Sequence, residues 1–102
     1  MGKYVLVYKG GGMAATEEEQ QKAMEAWGAW FQTLGDSVVD MGNPFGPSTG
    51  VSAGGANGGA TSGLTGYSIV SAASLDDAAG KASGCPIFAS GGSLDVYEAM
   101  EM

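Results

Sequence analysis

The chain has 102 residues, eleven carboxylates against four lysines, no arginine and no histidine, and a net charge of −7. A single small domain fits that length. An acidic surface with no basic stripe excludes a nucleic-acid binder and disfavours anionic membranes. The lack of histidine removes the commonest general base and metal ligand, so chemistry would have to run on Asp, Glu, Tyr or the single Cys85. One cysteine cannot close an internal disulfide, which makes a cytoplasmic setting the expectation.

In chain order, Tyr4-Val5-Leu6-Val7-Tyr8 reads as a strand that is apolar on both faces. The run is too short for a signal sequence or a membrane span, and Leu6 breaks the myristoylation pattern that Met1-Gly2 would begin. Lys9 and Gly10-Gly11-Gly12 end the strand. A phosphate loop is not indicated there, because no Gly-Lys-Ser/Thr follows and three glutamates open the next helix.

Thr16-Glu17-Glu18-Glu19 has capping-box spacing, and Gly35 suits the C′ position, so residues 17–34 form a helix. Gln20, Met24, Trp27, Phe31 and Leu34 recur every three or four residues, and Trp27 and Phe31, four apart on one face, should pack inward. Trp30 sits beside that stripe and is the ring expected to meet a loop or a ligand.

Residues 37–41 read as a short strand. From Gly42 to Gly66 the chain is mainly small and polar, a long loop within the one domain. Asn43-Pro44-Phe45-Gly46-Pro47 is stiffened by two prolines, and residues 54–59 form a tip between two short strands. Residues 67–72 read as a strand. Ser74 caps a helix over 75–83, Cys85-Pro86 turns the chain, Ile87-Phe88-Ala89 is short and apolar, and residues 94–100 form the last strand.

The order strand, helix, strand, strand, helix, strand is that of an α+β, ferredoxin-like βαββαβ fold with two helices on one face of an antiparallel sheet. Nothing in the chain remains to cover the other face, which argues for a homodimer with two sheets packed face to face.

The opening Tyr-Val-Leu-Val-Tyr strand, the Pro44-Phe45-Gly46-Pro47 loop, the Leu64-Thr65-Gly66-Tyr67 entry and the Gly84-Cys85-Pro86 turn resemble the YCII-related proteins, including those named for a DGPF-type loop. The resemblance spans most of the chain. It implies a dimeric α+β barrel with a pocket beside it. One branch of that family is similar to a dehydrochlorinase of chlorinated hydroxyhydroquinones that uses a His–Asp pair. This chain has no histidine, so that mechanism does not transfer.

Candidate site residues are Asp40, Asn43, Phe45, Tyr67 and Trp30. Asp40 is the one candidate base for a metal-independent lyase or isomerase, and Asn43 with Asp40 could hold a polar head while Phe45 covers an apolar body. Asp40 and Asn43 suit turn-forming roles better than ligand-binding ones, and Phe45 equally suits a core plug. Tyr4, Tyr8 and Tyr97 read as half-buried strand tyrosines with satisfied hydroxyls. Cys85 follows a helix C-terminus without a basic activator and reads as buried and inert. Asp76-Asp77 and Glu17–Glu19 are explained by helix starts, without a metal or cofactor. The expected partners are a second copy of the chain and a small organic ligand; the alternative is a non-catalytic interaction domain.

Overall fold

The computed structural model describes residues 2–10, 16–56, 58–59 and 63–100. Within them the chain is α+β. Strand β1 (Gly2–Lys9) leads to helix α1 (Glu17–Leu34), a 3-10 turn (Gly35–Ser37) and β2 (Val38–Asp40). A small hairpin, β3 (Val51–Ser52) and β4 (Gly55–Ala56), follows. Then come β5 (Leu64–Ala72), α2 (Leu75–Ala82), a second 3-10 turn (Pro86–Ser90) and β6 (Ser93–Ala99). The Ile87-Phe88-Ala89 segment belongs to that second turn, and β5 starts at Leu64, earlier than Tyr67.

The four long-range strands form one antiparallel sheet in the order β2-β5-β1-β6. The two strands adjacent in sequence to the helices' far ends lie at the edges, an order compatible with a ferredoxin-like fold. Strand alternation separates the two faces. Tyr4, Leu6 and Tyr8 of β1 lie opposite Val70, Ser68 and Gly66 of β5, and all six are buried on the helix side. Val5 and Val7 lie opposite Ile69 and Tyr67 on the other face, where all four are only half-buried. β1 is therefore covered on one face within the chain, whereas its apolar sequence suits cover on both.

Both helices begin as their sequences dictate. The Thr16 hydroxyl accepts the Glu19 N–H at 3.1 Å, and Ser74 accepts the Asp77 N–H at the same distance. The Asp77 carboxylate also accepts the Ala73 N–H at 2.9 Å and pairs with Lys81 at 2.8 Å. Gly35, at φ 55°, closes α1 by donating its N–H to the Phe31 carbonyl.

The helices differ in how they meet the sheet. α2 presents Ala78 and Ala82, both buried, and these short side chains let it lie close over β1, β5 and β6. α1 rests chiefly on the two 3-10 turns. Trp30 anchors it: the ring is buried, its indole N–H donates to the Lys81 carbonyl at 3.2 Å, and Gly84 lies against its edge. Trp27, Phe31 and Leu34 are only partly buried, and Met24 is 74% exposed. The inward face of α1 is thus rotated toward Trp30, whose indole N–H reaches the Lys81 carbonyl. The stripe through Met24 and Trp27 is left standing over the sheet.

Candidate functional site

Between α1 and the sheet lies a cleft of about 750 Å³. Its roof is the α1 stripe, with Met24, Trp27 and Phe31 facing the opening beside Ala23 and Gly28. Its floor is Tyr8 and the start of β5 from Thr65 to Ser68. The Met41–Pro44 segment closes one side, and the second 3-10 turn contributes Ile87 and Ser90. Two rings of the roof and floor interlock: Tyr8 meets Trp27 edge-on at 5.2 Å, and Trp27 continues to Phe31 at 6.1 Å.

The side of the cleft is held in place by β5. Pro44 bridges to Gly66, the Phe45 N–H donates to the Thr65 carbonyl at 2.9 Å, and the Tyr67 N–H donates to the Asn43 carbonyl at 3.4 Å. The first part of the long loop therefore runs as an extension of the sheet edge. Farther on, the Thr49 hydroxyl and the Gly50 N–H both donate to the Gly58 carbonyl, tying off the β3–β4 hairpin. Part of the 54–59 tip, at position 57, lies outside the described residues, as do Gly11 and Gly12 of the triple glycine.

Polar order inside the cleft starts from one carbonyl. Ser68 Oγ donates to the Met41 oxygen at 2.6 Å, and the Tyr8 hydroxyl donates to Ser68 Oγ at 2.7 Å. Burial pushes the Tyr8 phenol up to about 12, against the opposing effect of the Ser68 hydrogen bond. It is a neutral phenol at physiological pH and no base. Among the described residues no Asp, Glu or Lys lines the cleft.

The five candidates from the sequence divide. Asn43 and Tyr67 line the cleft. Asn43 is exposed at the mouth, while the Tyr67 ring turns to the opposite sheet face and stacks on Phe45 at 5.8 Å and 21°. Phe45, 46% exposed, accompanies Tyr67 there and is absent from the cleft wall. Asp40 is exposed at the end of β2 and does not line the cleft; its carboxylate accepts the Gly42 N–H at 2.8 Å in a local turn. Trp30 is in the core, bound to the Lys81 carbonyl, and Trp27 takes the position beside the opening.

The residues that make the floor, Tyr8 and Ser68, carry no distinguishing mark as a pair, since they are 60 residues apart in sequence. Gly66 is the available signal: a glycine inside a strand pattern marks close approach. A Cβ there would come within 3.4 Å of the Tyr8 ring and 3.2 Å of the Asn43 carbonyl.

Cys85 is buried and unpaired, and burial pushes its thiol up to about 11. Among the described residues no three of His, Cys, Asp and Glu cluster as metal ligands, and no described helix is long and apolar enough to cross a membrane. No protein-family model, curated protein or solved structure matches the chain.

Proposed function

We propose that this chain binds a small, uncharged, mostly apolar planar molecule in the cleft between α1 and the sheet, and that it does so as a homodimer. The observation that carries the ligand reading is the cleft itself: about 750 Å³, walled by Trp27, Phe31, Tyr8, Met24 and Met41, with no ionised side chain among the described lining residues. A pocket of that size suits a drug-sized ligand, and aromatic walls favour flat rings. Bringing a charged ligand there would cost desolvation without a counter-ion. Acid–base catalysis is not part of the proposal, because Asp40 stands outside the cleft and Tyr8 remains protonated.

The dimer reading is supported by the second sheet face. Val5, Val7, Tyr67 and Ile69 form its centre, with Phe45 stacked on Tyr67 and Tyr97 opposite Val5. A continuous apolar patch of this kind on a sheet marks an interaction surface. Two such faces packed together would give the α+β barrel that the resemblance to YCII-related proteins implies, with each cleft on the outer side of its own sheet.

The test is a melting and calorimetric screen with paired neutral and carboxylated aromatics, for example naphthalene derivatives with and without a carboxylate. Neutral members should stabilise the chain and carboxylates should not. Ala23→Trp places a bulky ring in the roof at an exposed helix position and should abolish binding while leaving the melting temperature nearly unchanged. Equal binding in Ala23→Trp would remove the cleft from consideration.

A further inference from the structure

The direction of the protons in the cleft floor can be worked out from its ends. The Met41 carbonyl can only accept, so Ser68 must spend its one proton on it. Ser68 Oγ then has only lone pairs left, so the proton between the two hydroxyls belongs to Tyr8. The other hydroxyls of the lining follow the same pattern. Thr65 Oγ1 donates to the Gly10 carbonyl at 3.1 Å, and Ser90 Oγ donates to the Ile87 carbonyl at 3.0 Å. The Tyr67 hydroxyl is on the opposite sheet face. Among the described residues these four hydroxyls have their protons committed to the protein, and Tyr8 keeps lone-pair capacity above the fully buried Ser68. The side-chain donors of the lining are on other walls, the Trp27 indole on α1 and the Asn43 amide on the loop.

We infer that the floor of the cleft is a hydrogen-bond acceptor surface centred on Tyr8, which selects a planar, uncharged ligand carrying an N–H or O–H donor over the same shape without one. The inference rests on the ligand-binding reading above and adds the polarity of the ligand. A ligand carbonyl or ether oxygen brought to the floor would face lone pairs on Tyr8 and leave its own desolvation uncompensated. Burial of Tyr8 reinforces the pattern, since a phenol that does not ionise cannot reverse the proton order by becoming an anion.

Indole and benzofuran test this directly, because they share a shape and differ by N–H against O. Calorimetric and NMR titration of the full chain should give indole about threefold to tenfold tighter binding, the value of one net neutral hydrogen bond. In Tyr8→Phe the ratio should fall to about one through loss of indole affinity, with benzofuran unchanged. Ser68→Ala frees the Tyr8 proton, so an acceptor such as 1-indanone should gain affinity in that variant relative to the parent. Equal binding of indole and benzofuran by the parent chain, or a ratio that survives Tyr8→Phe, would overturn the acceptor floor while leaving the cleft as a binding site. Failure of every neutral aromatic to bind would overturn both. The parent-chain ratio requires no variant to fold.

Discussion

Gly42 lies so close to Tyr67 that a Cβ at position 42 would overlap the Tyr67 carbonyl oxygen. Its φ of +78° is also in the region that side chains resist. Two requirements therefore coincide at one residue, which joins the end of β2 to the cleft side. Gly42→Ala should cost about 1–2 kcal/mol from backbone strain alone, and more from the forced retreat of the loop. Gly46, where an added Cβ meets nothing within 4 Å and φ is unexceptional, is the matched control. Urea unfolding should show a large loss for Gly42→Ala and a negligible change for Gly46→Ala; similar values for both would refute the close-packing account.

Trp30 and Met24 lie on the same helix with opposite duties. Trp30 is buried, hydrogen-bonded to Lys81 and packed 4.9 Å from the Phe31 ring. Trp30→Ala should cost about 3–5 kcal/mol, as expected for deleting a buried indole. Met24 is 74% exposed and borders the cleft, so Met24→Ala should change stability by less than about 0.5 kcal/mol. The same variant should weaken a cleft ligand. A Trp30→Ala protein that melts like the parent would show that α1 is held by other contacts.

Much of the fold can be read from local chemistry. Thr16 with Glu19, Gly35, and Ser74 with Asp77 mark the ends of two helices because each satisfies particular backbone groups within four residues. The order of elements along the chain follows from these signals, whereas β1 pairs with β5 and β6 far along the sequence. The rotation of α1 is not legible in this way. Met24, Trp27 and Phe31 form the more regular stripe, yet Trp30 is the buried ring, and its partner is the Lys81 carbonyl, 51 positions away in the sequence. Asp40 illustrates a different limit. Sequence alone offers it as base or turn residue, and the choice depends on whether its oxygen finds the Gly42 N–H or a cavity. The cleft floor depends on Tyr8, Ser68 and Met41 meeting in space, and no local pattern encodes that meeting.

Alkaline pH should weaken the fold in a defined window. Burial holds Cys85 up at about 11 from 9.0 and Tyr8 up at about 12 from 10.0. Each group is nearly inaccessible, at 3% and 6% exposure. The unfolded chain releases these protons at lower pH than the folded chain, so above pH 9 the native state binds more protons and stability falls as pH rises. Cys85 should contribute about 2–3 kcal/mol of loss between pH 9 and 11, and Tyr8 a similar amount between pH 10 and 12. The Cys85 slope sets in about one pH unit below 9 and the Tyr8 slope about one pH unit below 10. Unfolding free energies measured at half-unit intervals should show both steps. Tyr8→Phe should remove the upper one, and a flat profile through pH 12 would contradict the burial of both groups. The same burial predicts that Cys85 resists thiol reagents in the native state and reacts only after unfolding.

The open sheet face leads to the last expectation. Val5, Val7, Tyr67 and Ile69 are half-buried within one chain, and the Lys9–Asp95 ion pair at 2.5 Å lies beside them, with Asp95 opposite Val7. An ion pair with side chains about two-fifths exposed contributes little to one chain's stability. Asp40 lies opposite Ile69 at the other edge, so carboxylates flank the apolar centre on both sides. A face-to-face dimer would form around Val5, Val7 and Ile69, and the flanking carboxylates would set its orientation. Sedimentation should report a species of two chains. Val7→Lys with Ile69→Lys should give one chain with its secondary structure intact, because both side chains point away from the α1 and α2 layer. Monomers from the parent chain at all concentrations would exclude the dimer. A double variant that remains dimeric would place the interface on another surface.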